Sequence, residues 1–461
     1  MKFAAFYILI TFGFLFISCK DKDPSVDPEV EEETSKPASA YSSAVVREYA
    51  DLQLKMINNT PGYSSPVAAR SIAYLSLAAY EAMAPGMGKY QSLAGQLQGL
   101  DEVPQPEAGK EYHWGMVVNA SQYYLMKNLY STSFDVLKAQ MDTLRKKYEV
   151  QFDVGIGVDA KERSIRLGND IGMAIWEYAK KDGGHEAWNN NFPQSNSAFS
   201  GPSKWQPTGA EKKPLLPQWK DVRSFLAKNS SITSNLEKPF SFNADSEFFA
   251  EAQQVYGTAK NINEAQKSIM QFWYDPVNTS YTPAGHQLAV INSFVNKENY
   301  TLDQAAVLYL KIGIAMHDAT VTSFKQKYAT NIMRPQTYIN ESIDPSWQSH
   351  LAASPSPAYT SAQATLVTAV AEILNSEFGE NYVFEDNTKA GTAPKRAFKG
   401  FGVYAKEARQ AQLYAGITYP MSVNKSEEQG KEIATNVLEL KFEAPVAITD
   451  TSSNSMRIRR F

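Results

Sequence analysis

The sequence predicts an all-α protein: helical bundles joined by long loops rich in Trp and Pro. Three observations lead there. Apolar residues return at helical spacing in segment after segment from Tyr41 onward. No stretch sustains the period-two alternation of a half-buried strand, so sheet content should be small. The composition, 43% hydrophobic and 20% charged with 25 Tyr, 23 Phe and 7 Trp, is that of a globular protein with ample core material. A length of 461 residues suggests two or three domains.

Residues 43–58 carry Val46, Tyr49, Leu52, Leu54 and Met56 at helical spacing. Residues 66–83 form a run of small residues with Pro66 in its first turn, the pattern of a closely packed central helix. Further helices are expected at 108–126, 134–148, 159–181, 245–255, 264–272, 286–295 and 302–325, and then at 361–375, 400–415 and 425–441. Between them, residues 183–225 are rich in Gly, Asn, Ser and Pro and hold Trp188, Trp205 and Trp219. A loop this long is expected to be pinned across the helical body by its own aromatics. A soft boundary near residues 230–239 divides an N-terminal half (41–230) from a C-terminal half (231–445), the two sharing one core.

The N-terminus reads as an address. Lys2 precedes an unbroken apolar and small-residue run, 3–17, too short to cross a membrane, and Cys19 follows as the single cysteine of the chain. Residues 1–18 are therefore expected to be a lipoprotein signal peptide, with Cys19 the lipidated residue and a lipid anchor to the membrane. Residues 19–40 form an acidic tether in which seven acids outnumber three lysines after Cys19, and 446–461 form a tail. One cysteine excludes disulfides. A net charge of −4 with no basic patch excludes nucleic acid as a partner. The five histidines show no metal-ligand spacing.

One stretch organises the rest. The run 327–335 follows a long apolar helix and sets Lys327 and Arg334 seven residues apart, with Pro335 directly behind the arginine. Two cations at the mouth of a buried helix are costly unless an anion meets them, whereas at an exposed helix end they are ordinary.

Asp318 through Lys327-Tyr328, then Arg334-Pro335, resembles the first signature of the vanadium-dependent haloperoxidases, which share a fold and an anion site with the type 2 phosphatidic acid phosphatases. Trp205, the run Pro214-Leu-Leu-Pro-Gln-Trp219, Tyr281 to His286, and Trp347 ahead of Pro355-Ser-Pro-Ala-Tyr359 look like landmarks of the bacterial iodoperoxidase-like branch. The resemblance spans about Tyr41 to Glu443. It implies helical bundles of that fold, a nest of cationic and amide donors around an oxyanion, one axial His and a second His as acid or base. Only part of that set is present. Lys327 and Arg334 match the first motif. The second falls on Thr360-Ser361-Ala362-Gln363, keeping Ser361 but replacing Gly by Ala362 and His by Gln363. The third places Gln412 where the resemblance implies Arg, and Thr418 where it implies the axial His. Arg409, one turn before Gln412, could restore a charge but not an axial bond.

The resemblance leaves three readings. The first is an envelope lipoprotein of this fold, at the outer membrane and facing outward, with an impaired catalytic site. Its residual pocket (Lys327, Arg334, Ser361, Ala362, Gln363, Gln412, Thr418) would take a small anion, a sulfated sugar or a neutral sugar. No cofactor is then expected. The second is an active haloperoxidase of the iodo/bromoperoxidase kind, with vanadate as cofactor, or a phosphatase with altered chemistry. The third is a surface glycan-binding lipoprotein; the repeats such a protein would carry are not seen. The resemblance also carries an expectation of a homodimer. His317 is expected to be a satisfied core histidine and His286 to hold a loop.

Overall fold

The computed structural model describes residues 34–193, 199, 201–233, 235–389 and 392–444. The expected signal peptide, Cys19, most of the tether and the tail fall outside the described residues. Five helices fill the N-terminal half: α1 (Ala44–Asn59), α2 (Ser65–Met83), α3 (Trp114–Leu129), α4 (Asp135–Phe152) and α5 (Val158–Lys180). The one-turn α6 (Ala227–Ser230) closes that half, and the C-terminal half follows with α7 (Glu247–Lys260), α8 (Glu264–Phe272), α9 (Thr282–Lys297), α10 (Leu302–Thr330), α11 (Pro335–Ser342) and α12 (Ala362–Phe378). It ends with α13 (Phe401–Tyr414) and α14 (Pro420–Leu438). Between α12 and α13, β1 (Phe384–Asp386) and β2 (Arg396–Phe398) form a small antiparallel ribbon, Phe384 opposite Phe398 and Asp386 opposite Arg396. The fold is all-α, as expected.

The core is built on α2 and α10. Every residue of α2 from Pro66 to Met83 is buried. Helix α10 packs against α2 on one side and against α12 and α14 on the other. The approach is close because the contact faces are small: a Cβ at Gly313 would sit 2.9 Å from the Cα of Ala73. One apolar cluster runs from α1 through α14, so both halves share it. A second cluster of Phe248, Ile332, Met333, Tyr338, Tyr359 and Tyr419 lies under the turn after α10.

Several helix ends differ from expectation, each for a local reason. Helix α10 runs five residues past its expected end at 325, because nothing stops it before Asn331, which takes the left-handed conformation of a C-cap (φ 53°). Its start is fixed by a capping box of Thr301 and Gln304. Helices α9 and α14 start earlier than expected, with Pro283 and Pro420 in their first turns. Helix α3 starts later, at Trp114, where His113 Nδ1 accepts the amide of Met116. The short α11 was not expected; Arg334 is its N-cap residue and Pro335 opens its first turn.

The Trp- and Pro-rich loop is pinned across α10. The carboxylate of Asp318, buried in α10, accepts the backbone amides of Phe225 (2.7 Å) and Leu226 (3.1 Å) and the side-chain amide of Asn229 (2.7 Å). Trp219 Nε1 donates to Thr320 Oγ1 at 3.1 Å, and the amide of Trp205 donates to the carbonyl of Asn331 at 2.8 Å. The amide of Leu215 reaches the carbonyl of Pro355 at 2.7 Å. These bonds carry the loop from the bundle surface to the C-terminal end of α10. No helix among the described residues is long and apolar enough to cross a membrane.

Candidate functional site

Lys327 occupies the last turn of α10 and Arg334 the N-cap position of α11. The left-handed turn at Asn331 folds the chain back between them, and Ile332 pairs with Lys204 of the pinned loop. Both side chains end up inside the protein: Lys327 is 3% and Arg334 6% exposed. They are not surface cations at a helix end.

Their partners are almost all carbonyls. Lys327 Nζ donates to the carbonyl of Pro357 at 2.8 Å. Arg334 Nε donates to the carbonyl of Ser356 (2.7 Å), Nη1 to Ile417 (3.1 Å), and Nη2 to the carbonyl of Ser354 and the hydroxyl of Ser356 (both 3.0 Å). Neither cation is bonded to a carboxylate among the described residues. Burial, and secondarily the charge of Arg334, holds the Lys327 ammonium well below the usual lysine range. Burial also lowers Arg334 to about 10. Buried charge without a counter-charge is the arrangement an anionic ligand would relieve.

The two cations open onto a cavity of about 540 Å³. Ser361, Ala362, Gln363 and Gln412 line the same cavity, so six of the seven sequence-predicted positions converge. Thr418 does not line it; Ile417 takes that place on the wall, and the hydroxyl of Thr418 is buried without a partner. Ser361 caps α12, its Oγ accepting the amide of Ala364 at 3.3 Å and donating to Gln412 Oε1 at 2.5 Å. That leaves Gln412 Nε2 buried with no hydrogen-bond partner. Gln363 Nε2 donates to the carbonyl of Trp273 at 3.0 Å. Arg409 does not line the cavity: it bonds Thr368 at 3.0 Å and pairs with Glu427 at 2.9 Å.

Comparisons with known proteins bear on the fold that carries this cavity. The family model for the VCPO second helical-bundle domain matches residues 307–444. The structure of a bacterial vanadium-dependent iodoperoxidase superposes with a TM-score of 0.78 at 28% identity, covering 87% of this chain and 97% of that one. Residues 307–444 match that family's domain, and the chain as a whole has the vanadium haloperoxidase fold. A bacterial vanadium-dependent chloroperoxidase shares the fold in its holo form (TM-score 0.61, 13% identity, 83% of this chain and 93% of that one). Its apo form matches equally, with a TM-score of 0.61, 14% identity and 83% and 94% coverage. No curated protein sequence matches the chain.

Within this haloperoxidase fold the cavity keeps N–H donors suited to an oxyanion, but no histidine lines it among the described residues. The donor set therefore does not fit vanadate, for which the resemblance implies an imidazole ligand that this lining does not supply. His286 is committed elsewhere. Its Nδ1 meets Asp275 and its Nε2 meets Asp386, both at 2.8 Å, while Lys389 pairs with the other oxygen of Asp275. Burial alone would lower the pKa of His286, yet the two carboxylates outweigh it and raise the group to about 9. This network anchors residues 274–278, which form one wall of the cavity. The motif at 281–286 signals a loop anchor; Asp275 and Asp386 lie 11 and 100 residues from His286, and no local pattern marks them. His317 is only half satisfied: Nε2 meets the carbonyl of Arg223 at 3.0 Å, whereas Nδ1 has no partner.

Two outcomes test these assignments. Lys327→Met removes a buried charge that no carboxylate balances, so its melting temperature at pH 7 is expected to equal or exceed that of the parent. The folded-state pKa of Lys327 lies below its unfolded value, so the parent gains stability as pH rises toward the ordinary lysine range. The gap should shrink over that window in a pH series of thermal melts. His286→Ala strands two buried carboxylates and is expected to cost about 3–5 kcal/mol in denaturant unfolding. The folded pKa of His286 is raised above its unfolded value, so its contribution in the parent is complete below about pH 6.5 and is lost as pH rises through about 9.

Proposed function

We propose that this protein is a binding member of the superfamily, holding an oxyanionic ligand without turning it over. The observation behind this reading is the pair of buried cations, Lys327 and Arg334, whose charge is met by carbonyls and, among the described residues, by no carboxylate. Gln363 and Gln412 support it. One is engaged with the Trp273 carbonyl and the other with Ser361, and neither can exchange a proton near neutral pH. General acid or base work at the cavity would need a group that titrates there. Fold alone does not confer activity, and here the wall residues argue against the family's chemistry. We further propose that the protein is a cell-envelope lipoprotein of the outer membrane; the apolar leader, Cys19 and the acidic tether in the sequence support this reading.

Calorimetric titration of the full chain with orthovanadate and with inorganic sulfate tests the binding reading. Sulfate is expected to bind weakly, in a Lys327-dependent manner, with affinity falling as pH rises because the empty-site lysine loses its proton early. Vanadate binding at about micromolar affinity or tighter, accompanied by iodide or bromide oxidation, would overturn it. For the address, Cys19→Ser is expected to move the protein from the membrane fraction to the soluble fraction on cell fractionation; retention in the membrane would refute lipidation at Cys19.

A further inference from the structure

We infer that the cavity takes an organic sulfate or sulfonate: one singly charged, three-oxygen head seated on Lys327, Arg334 and Gln412, and an apolar body lying along the walls toward the mouth. This rests on the binding reading above and gives the ligand a chemical class.

The head follows from the donors still unspent. Lys327 uses one of its three N–H groups on Pro357, and Arg334 uses four of its five on Ser354, Ser356 and Ile417. Gln412 Nε2 uses neither of its two. Two, one and two N–H groups remain, all donors. A carboxylate offers about four lone-pair positions to meet them, and a head with three terminal oxygens offers more. Charge separates sulfate from phosphate. A phosphate monoester carries about −1.5 to −2 at neutral pH and brings an exchangeable proton that needs an acceptor. Here the carbonyls around the cations each already accept from Lys327 or Arg334. Arg334 is wrapped by three carbonyls and a hydroxyl, which offset part of its charge before any ligand arrives. Asp275, the one acid on the wall among the described residues, is neutralised by His286 and Lys389. What remains suits one full negative charge with no proton to place.

The body follows from the size and lining of the space. At about 30 Å³ per water molecule, 540 Å³ holds roughly eighteen waters, far more than an inorganic oxyanion displaces. Cavities of this size enclose whole organic ligands. Helix α10 sends Thr320, Phe324 and Lys327 into the space at successive turns, so an aromatic ring lies one turn from the ammonium. Leu215, brought there by the pinned loop, and Pro283 continue the apolar wall. At the mouth, Phe192 is 37% and Val277 40% exposed, two large apolar side chains that a bound apolar body would cover.

The test is calorimetric titration of the full chain with 4-nitrophenyl sulfate, 4-nitrophenyl phosphate, 4-nitrobenzoate and inorganic sulfate. The aryl sulfate is expected to bind about tenfold or more tighter than inorganic sulfate, from burial of the ring. It should also bind tighter than the aryl phosphate and the benzoate, and release no nitrophenol. Lys327→Met should abolish binding of both sulfates, whereas Phe192→Ser with Val277→Ser should weaken only the aryl sulfate. Equal affinity for aryl and inorganic sulfate, or an unaffected double variant, would overturn the apolar body while leaving the oxyanion site standing. Tighter binding of the phosphate or the benzoate would overturn the sulfate head. Binding of none of the four would overturn both the inference and the reading it rests on, and release of nitrophenol would overturn binding without turnover.

Discussion

Two positive charges buried with no counter-charge among the described residues constrain this structure more than any other feature. Lys327 and Arg334 could pair with carboxylates, and a stable core would favour that. Instead the chain supplies a collar of main-chain carbonyls from Ser354, Ser356, Pro357 and Ile417. Carbonyl dipoles satisfy the N–H groups but cancel only part of the charge. The collar exists only if residues 352–358 cross the end of α10. That crossing is held in turn by the Pro355 carbonyl accepting from Leu215, at the tip of the pinned loop. The loop depends on Asp318, one carboxylate inside α10 that gathers three donors from residues 225–229. The long helix therefore does two jobs: its middle anchors the loop, and its end presents the charge that the loop helps enclose.

How far this could be read from the chain depended on the range of the interaction. Helical periodicity is local, so the all-α fold and most helices were legible, and only ends set by single residues such as Asn331 and Pro420 shifted. The convergence of Lys327, Arg334, Ser361, Gln363 and Gln412 was legible because a family resemblance orders distant motifs that spacing alone cannot bring together. The direction in which Thr418 points was not legible. Gly416 takes a positive φ of 73° and a Cβ there would meet the Trp347 ring at 2.8 Å, so the turn is set by a residue some seventy positions earlier. It faces Ile417 toward the cavity and buries Thr418 behind it. The pairing of His286 with two aspartates was hidden for the same reason: one partner comes from the end of the β-ribbon strand β1, and a lone His-to-Asp separation carries no pattern.

The fates of the two glutamines differ, and the difference is informative. Gln412 accepts from Ser361 and keeps its amide N–H groups unspent beside the cations. Gln363 spends its amide on the Trp273 carbonyl, at the C-terminal end of α8. The Trp273 ring stacks on His286 at 5.3 Å between centroids, and its indole N–H reaches Glu407 of α13 at 3.0 Å. One wall of the cavity is thus stitched from α12 through α8 to α9 and α13 by a residue at the position where the resemblance implies a proton-transfer group.

That stitch makes the present state hard to leave. An imidazole at 363 would be shorter than the glutamine side chain and would withdraw the amide from Trp273, leaving a main-chain carbonyl unmatched while its ring is still stacked on a charged histidine. An imidazole at 418 would enter a buried position whose present occupant is small and faces away from the cavity. Each change alone would carry a structural penalty without completing a reactive constellation, so single substitutions lead downhill in stability before any chemistry could be gained. The packing around Gln363 and Thr418 would therefore act as a ratchet, standing in the way of a stepwise path to a histidine-bearing site.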